Sequence, residues 1–521
     1  MLDSHLLLTY AIQILMLAKV KSGANVGLDS KEVIIEVDIA SVGLPVFAIV
    51  GLADRAVEEA KERVRSALRN SNIDFPPKRI TVNLAPADLP KEGPVFDLGI
   101  AMGVMIGSGQ LECKVDDILF VGELSLDGSL RYTQGVLPLT ILAKKLGLKK
   151  IFIPSENVGE AAVIEGIDVY GFENLVEVVN FLTGQTEKSP HPKISLDLES
   201  DLKYEFDFNQ IKGQEHAKRA LEIAAAGSHN VLLKGPPGSG KTLLARSFPS
   251  ILPPLSPDEA IELTQIYSVS GNLSKDNPFI NFRPFRSPHH SASYVGIIGG
   301  GNSIKPGEIS LAHRGVLFMD ELPEFPRQVL ESLRQPLEDR KVAISRASGS
   351  LTFPAKFILI AAQNPCPCGF LQTAGKNCVC MPGQISRYQK KISGPLLDRI
   401  DLHIDVPQVD VEKLTGDYTS EDSSAIKQRV IKARKKQQER FKGSKTLTNS
   451  EMTSAQVKQI CVLEKEALDL LKMAISQMGL SARSYHRVLK LGRTIADLAD
   501  SENIKTEHIA ESLQYRYKED S

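Results

Sequence analysis

The sequence predicts an α/β protein in three parts: an α+β domain, a core built on a parallel sheet, and a helical C-terminal segment. Three observations predict it. Strand-like runs alternate with helical ones over residues 16–184 and again over 206–408. A glycine-rich turn at 235–240 lies between an apolar strand and a helix-forming run. From residue 426 onward the pattern is helical. Composition agrees: of 521 residues, 42% are hydrophobic and 24% charged, as in an ordinary globular protein.

The elements follow in order. The apolar run Leu6–Ala18 has 13 residues, too few to span a bilayer. No Lys or Arg precedes it and no small-residue cleavage site follows, so neither a signal peptide nor membrane attachment is expected. A second Met, Met16, opens "MLAKVKSG". Residues 1–15 are therefore expected to be an upstream extension, with a short amphipathic arm as the alternative. Over 16–184, "EVIIEVDIA", "PVFAIVGL", "RITVNLAP" and "KIFIPS" read as strands, and "DRAVEEAKERVRSALRNS" and "LPLTILAKKLG" as helices. Residues 185–205 are polar and proline-bearing and read as a linker. A second α/β block covers 206–408. Residues 409–425 form another linker, and 426–521 a helical domain.

The net charge is −1, so any nucleic-acid binding must come from a local patch. Six cysteines are too few for a disulfide scaffold of this length, and a reducing cytoplasm is the expected compartment.

The sharpest motif is Gly235-Pro236-Pro237-Gly238-Ser239-Gly240-Lys241-Thr242, which fits G-x-x-x-x-G-K-[ST] with a strand before it and a helix after it. Glycines let backbone N–H groups converge on phosphate oxygens. Lys241 is placed to neutralise the β- and γ-phosphates of ATP, and Thr242 to ligate Mg²⁺. A second element must complete the metal site and activate water. Val316–Met319 is an apolar strand ending in Asp320 and Glu321. The first acid suits Mg²⁺ and the second can polarise an attacking water. A third strand, "KFILIAAQNP", ends in Asn364, a neutral amide able to orient that water or sense the γ-phosphate. Arg399 follows in an apolar turn, and Arg483 starts the basic amphipathic helix "GLSARSYHRVLKLGRTIADL", with Arg487 one turn further on.

This order of motifs resembles the AAA+ ATPases, in their magnesium-chelatase-like branch, and the resemblance to the ComM/YifB family covers nearly the whole chain from Met16. It implies that Asn364 is sensor 1, that Arg399 is an arginine finger reaching into a neighbour's site, and that Arg483 is sensor 2 on a helical lid. Fingers act in trans, so a homo-hexameric ring is implied.

Lys241 and Asp320 are 79 residues apart, and the added chain carries Gly299, Gly300, Gly301 and the pair His289-His290. The histidines are expected to make structural hydrogen bonds, since no metal-ligand spacing accompanies them. "DRKVAISRASGSLTFPAKF" (339–357) reads as a hairpin turning at "ASGS". In related ring helicases such a hairpin touches DNA in the pore. Arg346, Lys341 and Lys356 either meet phosphates here or are ordinary exposed charges.

"PKEGPVFDLGIAMG" (90–103) and residues 122–157 resemble the proteolytic domain of Lon protease. Lon needs a Ser and a Lys; in register these positions are Val95 and Pro138, which supply neither nucleophile nor base. Ser125, Lys144 and Lys145 lie near but do not make a dyad. The domain is expected to bind partners or support oligomerisation without peptidase activity.

Four of the six cysteines, Cys366, Cys368, Cys378 and Cys380, crowd into "NPCPCGFLQTAGKNCVC" directly after Asn364. Four thiolates suit a closed, structural Zn²⁺ site; reduced free thiols or a redox pair are the alternatives. Cys113 and Cys461 stand alone and are expected to be buried. The run 425–445 holds nine Lys or Arg and one acid, Glu439, and is expected to be a solvated helix face more than a DNA contact.

The resemblance implies an ATP-hydrolysing ring motor on single-stranded or branched DNA, a branch-migration helicase in recombination or natural transformation. The alternatives are a metal-chelatase motor subunit and a protein-remodelling ATPase.

Overall fold

The computed structural model describes residues 17–516 apart from 41–42, 53, 195–203, 274–275, 302–303, 347–348, 374–375, 410–419 and 479–480. The expected extension, residues 1–15, lies outside the described residues, as do much of both linkers, the hairpin tip at 347–348 and the Arg346 side chain. Among the described residues no helix is long and apolar enough to cross a membrane.

The chain forms two compact units. The first comprises residues up to Asp197 together with Pro257–Asn281 and Asn302–Lys305; the second holds the remainder. Sequence reading assigns 257–281 to the core block, and the structure groups it with the first unit.

The first unit is built on a seven-stranded mixed sheet. Its strands run, from one edge to the other, Val46–Val50, Arg79–Ala85, Asp29–Ala40, Leu17–Val26, Ile118–Phe120, Lys150–Pro154 and Asp168–Phe172. The strand Asp29–Ala40 shows why: Val33, Ile35, Val37 and Ile39 share one face and are almost wholly buried, while Ile34, Glu36 and Asp38 between them are more exposed. The helix Asp97–Gly107 packs on this face through glycine. A Cβ on Gly99 would come within 2.5 Å of Ile35, and one on Gly103 within 2.5 Å of Val37. Asp97, fully buried, is held by Arg63 through two bonds of 2.6 and 3.0 Å. The helix Arg55–Asn70 starts where sequence places it, with the Asp54 carboxylate accepting from Val57 N.

The inserted helix Pro257–Ser270 packs on the helix Val136–Lys145 of the same unit. Its Ser268 hydroxyl donates to buried Glu160 at 2.7 Å, and Asn157 and Leu137 N donate to the same carboxyl. Val95 is buried in a short helical turn, Pro138 is buried in Val136–Lys145, and Lys144 and Lys145 are exposed. Ser125 Oγ accepts from Arg131.

The second unit carries a five-stranded parallel sheet, in the order Phe285–Arg286, Val316–Met319, Ile358–Gln363, Val231–Lys234, Leu402–Asp405. Each central strand is a short, continuous apolar run, as expected for strands covered on both faces. Lys341–Arg346 and Gly349–Pro354 pair as the expected hairpin. The C-terminal helices, Ser423–Arg440, Ser454–Ile460, Lys465–Met478, Ala482–Leu498 and Thr506–Gln514, enclose a second small core that includes Met452, Leu471, Val488 and Ile509. The basic run falls on the first of them. Arg429 pairs with Glu222 and Glu421, Lys432 and Lys436 with Asp500, Arg440 with Asp497, and Arg434 donates to Ala225 O. Those five cations are committed within the unit.

Candidate nucleotide site

Three strands of the second unit end at one edge, and each delivers one part of the site. Val231–Lys234 lies between Leu402–Asp405 and Ile358–Gln363, in register Lys234 to Gln363. This is the central position at which parallel α/β sheets bind ligands beyond their C-terminal strand ends. The glycine-rich loop leaves the strand at Gly235, where a Cβ would lie 2.1 Å from Val406 O. Gly238 and Gly240 have φ of 76° and 89°, the left-handed region that glycine enters without strain.

Lys241 opens the following helix, and its side chain folds back under the loop. Its Nζ donates to Gly235 O and Pro236 O at 2.8 Å each and to Asn364 Oδ1 at 3.3 Å. Burial pushes the ammonium pKa down while Asp320 opposes the shift. Asn364 sits directly past Ile358–Gln363, which brings its Oδ1 to Lys241. Thr242 Oγ1 donates to Asp320 Oδ2 at 2.9 Å. Two ligand oxygens that close match adjacent corners of an octahedron with Mg–O distances of about 2.1 Å. Thr242 and Asp320 thus fit the metal that sequence assigned to them.

Glu321 takes φ 50°, ψ 46°, and its N–H donates to Asp320 Oδ1 at 2.9 Å. That turn separates the two acids: Asp320 faces Thr242, while Glu321 stays more than half exposed. Sequence reasoning missed what Glu321 meets. His290 Nδ1 lies 3.4 Å from Glu321 Oε2, and the His290 ring also stands edge-on to Phe325. Only the unusual His289-His290 pair hinted at it.

Arg399 and Arg483 do not join this constellation. Asn230 Nδ2 donates to Arg399 O at 3.2 Å, and Arg487 Nη1 donates to Ile400 O at 3.3 Å. Asn230 precedes the strand whose far end is the phosphate loop, about 13 Å of strand away. Arg399 and Arg483 instead converge on Glu338, the latter at 3.0 Å. Arg487, the rival of Arg483, is largely buried beside Asp401 at 3.5 Å.

The thiols do converge. Cys366 Sγ lies 3.4 Å from Cys368 Sγ and 3.7 Å from Cys378 Sγ, Cys368 and Cys378 are 3.6 Å apart, and all four sulfurs fall within 4.8 Å of one another. A tetrahedral zinc with bonds of about 2.3 Å has sulfur–sulfur edges of about 3.8 Å. The turn they define leans on the phosphate loop: a Cβ on Gly369 would lie 2.5 Å from Pro237 Cδ. Cys461 is buried as expected, whereas Cys113 is only half-buried.

Family models match three stretches of the chain. Residues 207–414 match "Magnesium chelatase, subunit ChlI", 35–157 "Subunit ChlI of Mg-chelatase", and 420–516 "Magnesium chelatase, subunit ChlI C-terminal". Competence protein ComM of Haemophilus influenzae is 45% identical over 511 residues, covering 96% of this chain and 97% of that protein. The chain belongs to the magnesium-chelatase-like AAA+ family, in its ComM/YifB group. YifB of Escherichia coli is 43% identical over 505 residues, with 96% and 97% covered. Lon protease 2 of Bacillus subtilis is 32% identical over 135 residues, a quarter of either chain. As a member of this AAA+ family the chain is an ATPase working on ATP with Mg²⁺.

Proposed function

We propose that this chain is the subunit of a homohexameric ring that hydrolyses ATP to move along single-stranded or branched DNA in the cytoplasm, a branch-migration helicase of recombination or natural transformation. One observation carries the ring: Lys241 and Arg399 lie at opposite ends of the same core strand, so a nucleotide on Lys241 needs cations from another subunit. Within the site, Lys241 holds the β- and γ-phosphates, and Thr242 and Asp320 hold the metal. Mg²⁺ held there would neutralise charge developing on the phosphate oxygens. Glu321 takes a proton from the attacking water while Asn364 orients it, and Arg399 and Arg483 of the neighbour stabilise the transferred phosphoryl group.

The DNA substrate is supported by the likeness to ComM, a competence protein by name, and by the hairpin 341–354 inserted before the Asn364 strand. Four thiols with near-tetrahedral edges support a structural zinc beside the phosphate loop. Val95 and Pro138 support a first unit without peptidase activity, acting as a binding or oligomerisation module.

ATPase stimulation decides among the motor readings. Single-stranded or branched DNA is expected to raise turnover. Stimulation by unfolded protein instead favours a remodelling ATPase, and stimulation by a tetrapyrrole-loaded partner favours a chelatase motor.

A further inference from the structure

Glu338 lies near the end of the short helix Arg334–Asp339, and nothing in its sequence context marks it. We propose that it is a positioning residue for hydrolysis: its carboxylate sets Arg399 and Arg483 side by side as one receptor for a neighbour's phosphate. The proposal rests on the reading that both arginines act in trans.

The two arginines come from separate elements, the turn after Gly394–Leu397 and the first turn of Ala482–Leu498. They meet on one carboxylate, one guanidinium per oxygen: Arg483 Nη2 donates to Oε1 at 3.0 Å, and Arg399 Nη2 donates to Oε2. Two guanidinium cations held this close repel, and a shared anion offsets the repulsion. The Glu338 carboxyl is accordingly held below its ordinary range, first by the hydrogen bond from Arg399.

The arrangement also leaves donors free for a ligand. Arg399 gives one N–H of Nη1 to Pro395 O and one of Nη2 to Glu338, which leaves a second N–H on each nitrogen. A guanidinium carries five N–H donors, so it can keep one edge on a carboxylate and offer another to phosphate. Arg483 is half exposed. Arg487 stands behind them on Asp401, which reserves it for bracing.

The test is nucleotide binding and steady-state ATPase of Glu338→Gln and Glu338→Asp, alone and in mixed rings with Lys241→Ala. Glu338→Gln is expected to bind a fluorescent ATP analogue normally, with KM unchanged and kcat lowered roughly tenfold or more. Lys241→Ala subunits, whose arginines are sound, are expected to restore turnover to Glu338→Gln sites; Arg399→Ala subunits are not. Glu338→Asp, which keeps the charge, is expected to recover part of the activity, and it is read in place of Glu338→Gln if the amide variant does not fold. Wild-type kcat in Glu338→Gln overturns the proposal, as does a loss that Lys241→Ala fails to rescue at an unchanged melting temperature. Arg399→Ala mixed with Lys241→Ala separates the two levels. No rescue there sinks the trans reading and this proposal with it. Rescue of Arg399→Ala beside normal Glu338→Gln sinks this proposal alone.

Discussion

At the scale of single residues, the proposed nucleotide site divides into groups expected to bind and groups expected to react. Lys241 is the cation folded beneath the phosphate loop, bonded to two of its carbonyls. Lys241→Ala is expected to weaken ATP binding and abolish hydrolysis together. The Glu321 side chain is more than half exposed and lies beside His290. Glu321→Gln is therefore expected to bind ATP at wild-type affinity and lose about a hundredfold or more in kcat, because the amide accepts no proton. Single-turnover hydrolysis beside equilibrium binding is the measurement, and wild-type turnover removes Glu321 from the chemistry. Lys241, Thr242, Asp320 and Asn364 were legible in the sequence because each is fixed by chain neighbours: a glycine turn, or the last residue of an apolar strand. Glu338 and His290 were not. The partners of Glu338 lie 61 and 145 residues away and that of His290 lies 31 away, and no local pattern encodes such pairs.

Elements were legible in proportion to their periodicity. Asp29–Ala40 alternates but for Ile34, and Arg55–Asn70 carries its own cap, so both appear where expected. Ile118–Phe120 is three buried residues without alternation, and no periodicity marks it as a strand. The grouping of 257–281 with the first unit was equally hidden, because it depends on Ser268 finding Glu160. That contact has a pH signature. Burial raises the Glu160 carboxyl from 4.5 to about 7, against the pull of its three donors. The folded state then keeps a proton that the unfolded chain releases, so stability is lost as pH rises from 4.5 to about 7, by at most about 3 kcal/mol. Asp97, raised to about 6, acts in the same direction but is exhausted above that pH. Glu160→Gln is expected to flatten the loss and to slow amide exchange in the first unit at pH 8. An unchanged pH profile in the variant shows that Glu160 ionises freely in the fold. The thiol turn makes a second prediction at this scale. Protein never exposed to chelator is expected to carry about one zinc per chain, and Cys366→Ser with Cys378→Ser to lose it. Zinc content that survives the double substitution refutes the site.

For the whole molecule, charge decides how DNA can be held. The net charge is −1, and Arg429, Lys432, Arg434, Lys436 and Arg440 of the basic helix are already engaged inside the second unit. On the proposed function, a strand of DNA is therefore expected to be held not by the molecule at large but where the proposed ring gathers one cation per subunit. Arg346, beside the hairpin turn, is the residue that sequence puts there. Six such contacts on single-stranded DNA give a slope of about −4 in log affinity against log salt, so a fourfold rise in salt costs roughly 300-fold. DNA-stimulated ATPase is expected to collapse over that range while basal ATPase, which depends on buried and metal-bridged contacts, changes little. Arg346→Ala is expected to lower stimulated turnover more than basal turnover and to flatten the salt slope. A steep salt dependence left intact by Arg346→Ala moves the DNA contact to another surface. ATPase indifferent to single-stranded and branched DNA at low salt, yet raised by unfolded protein, replaces the DNA motor with a remodelling one.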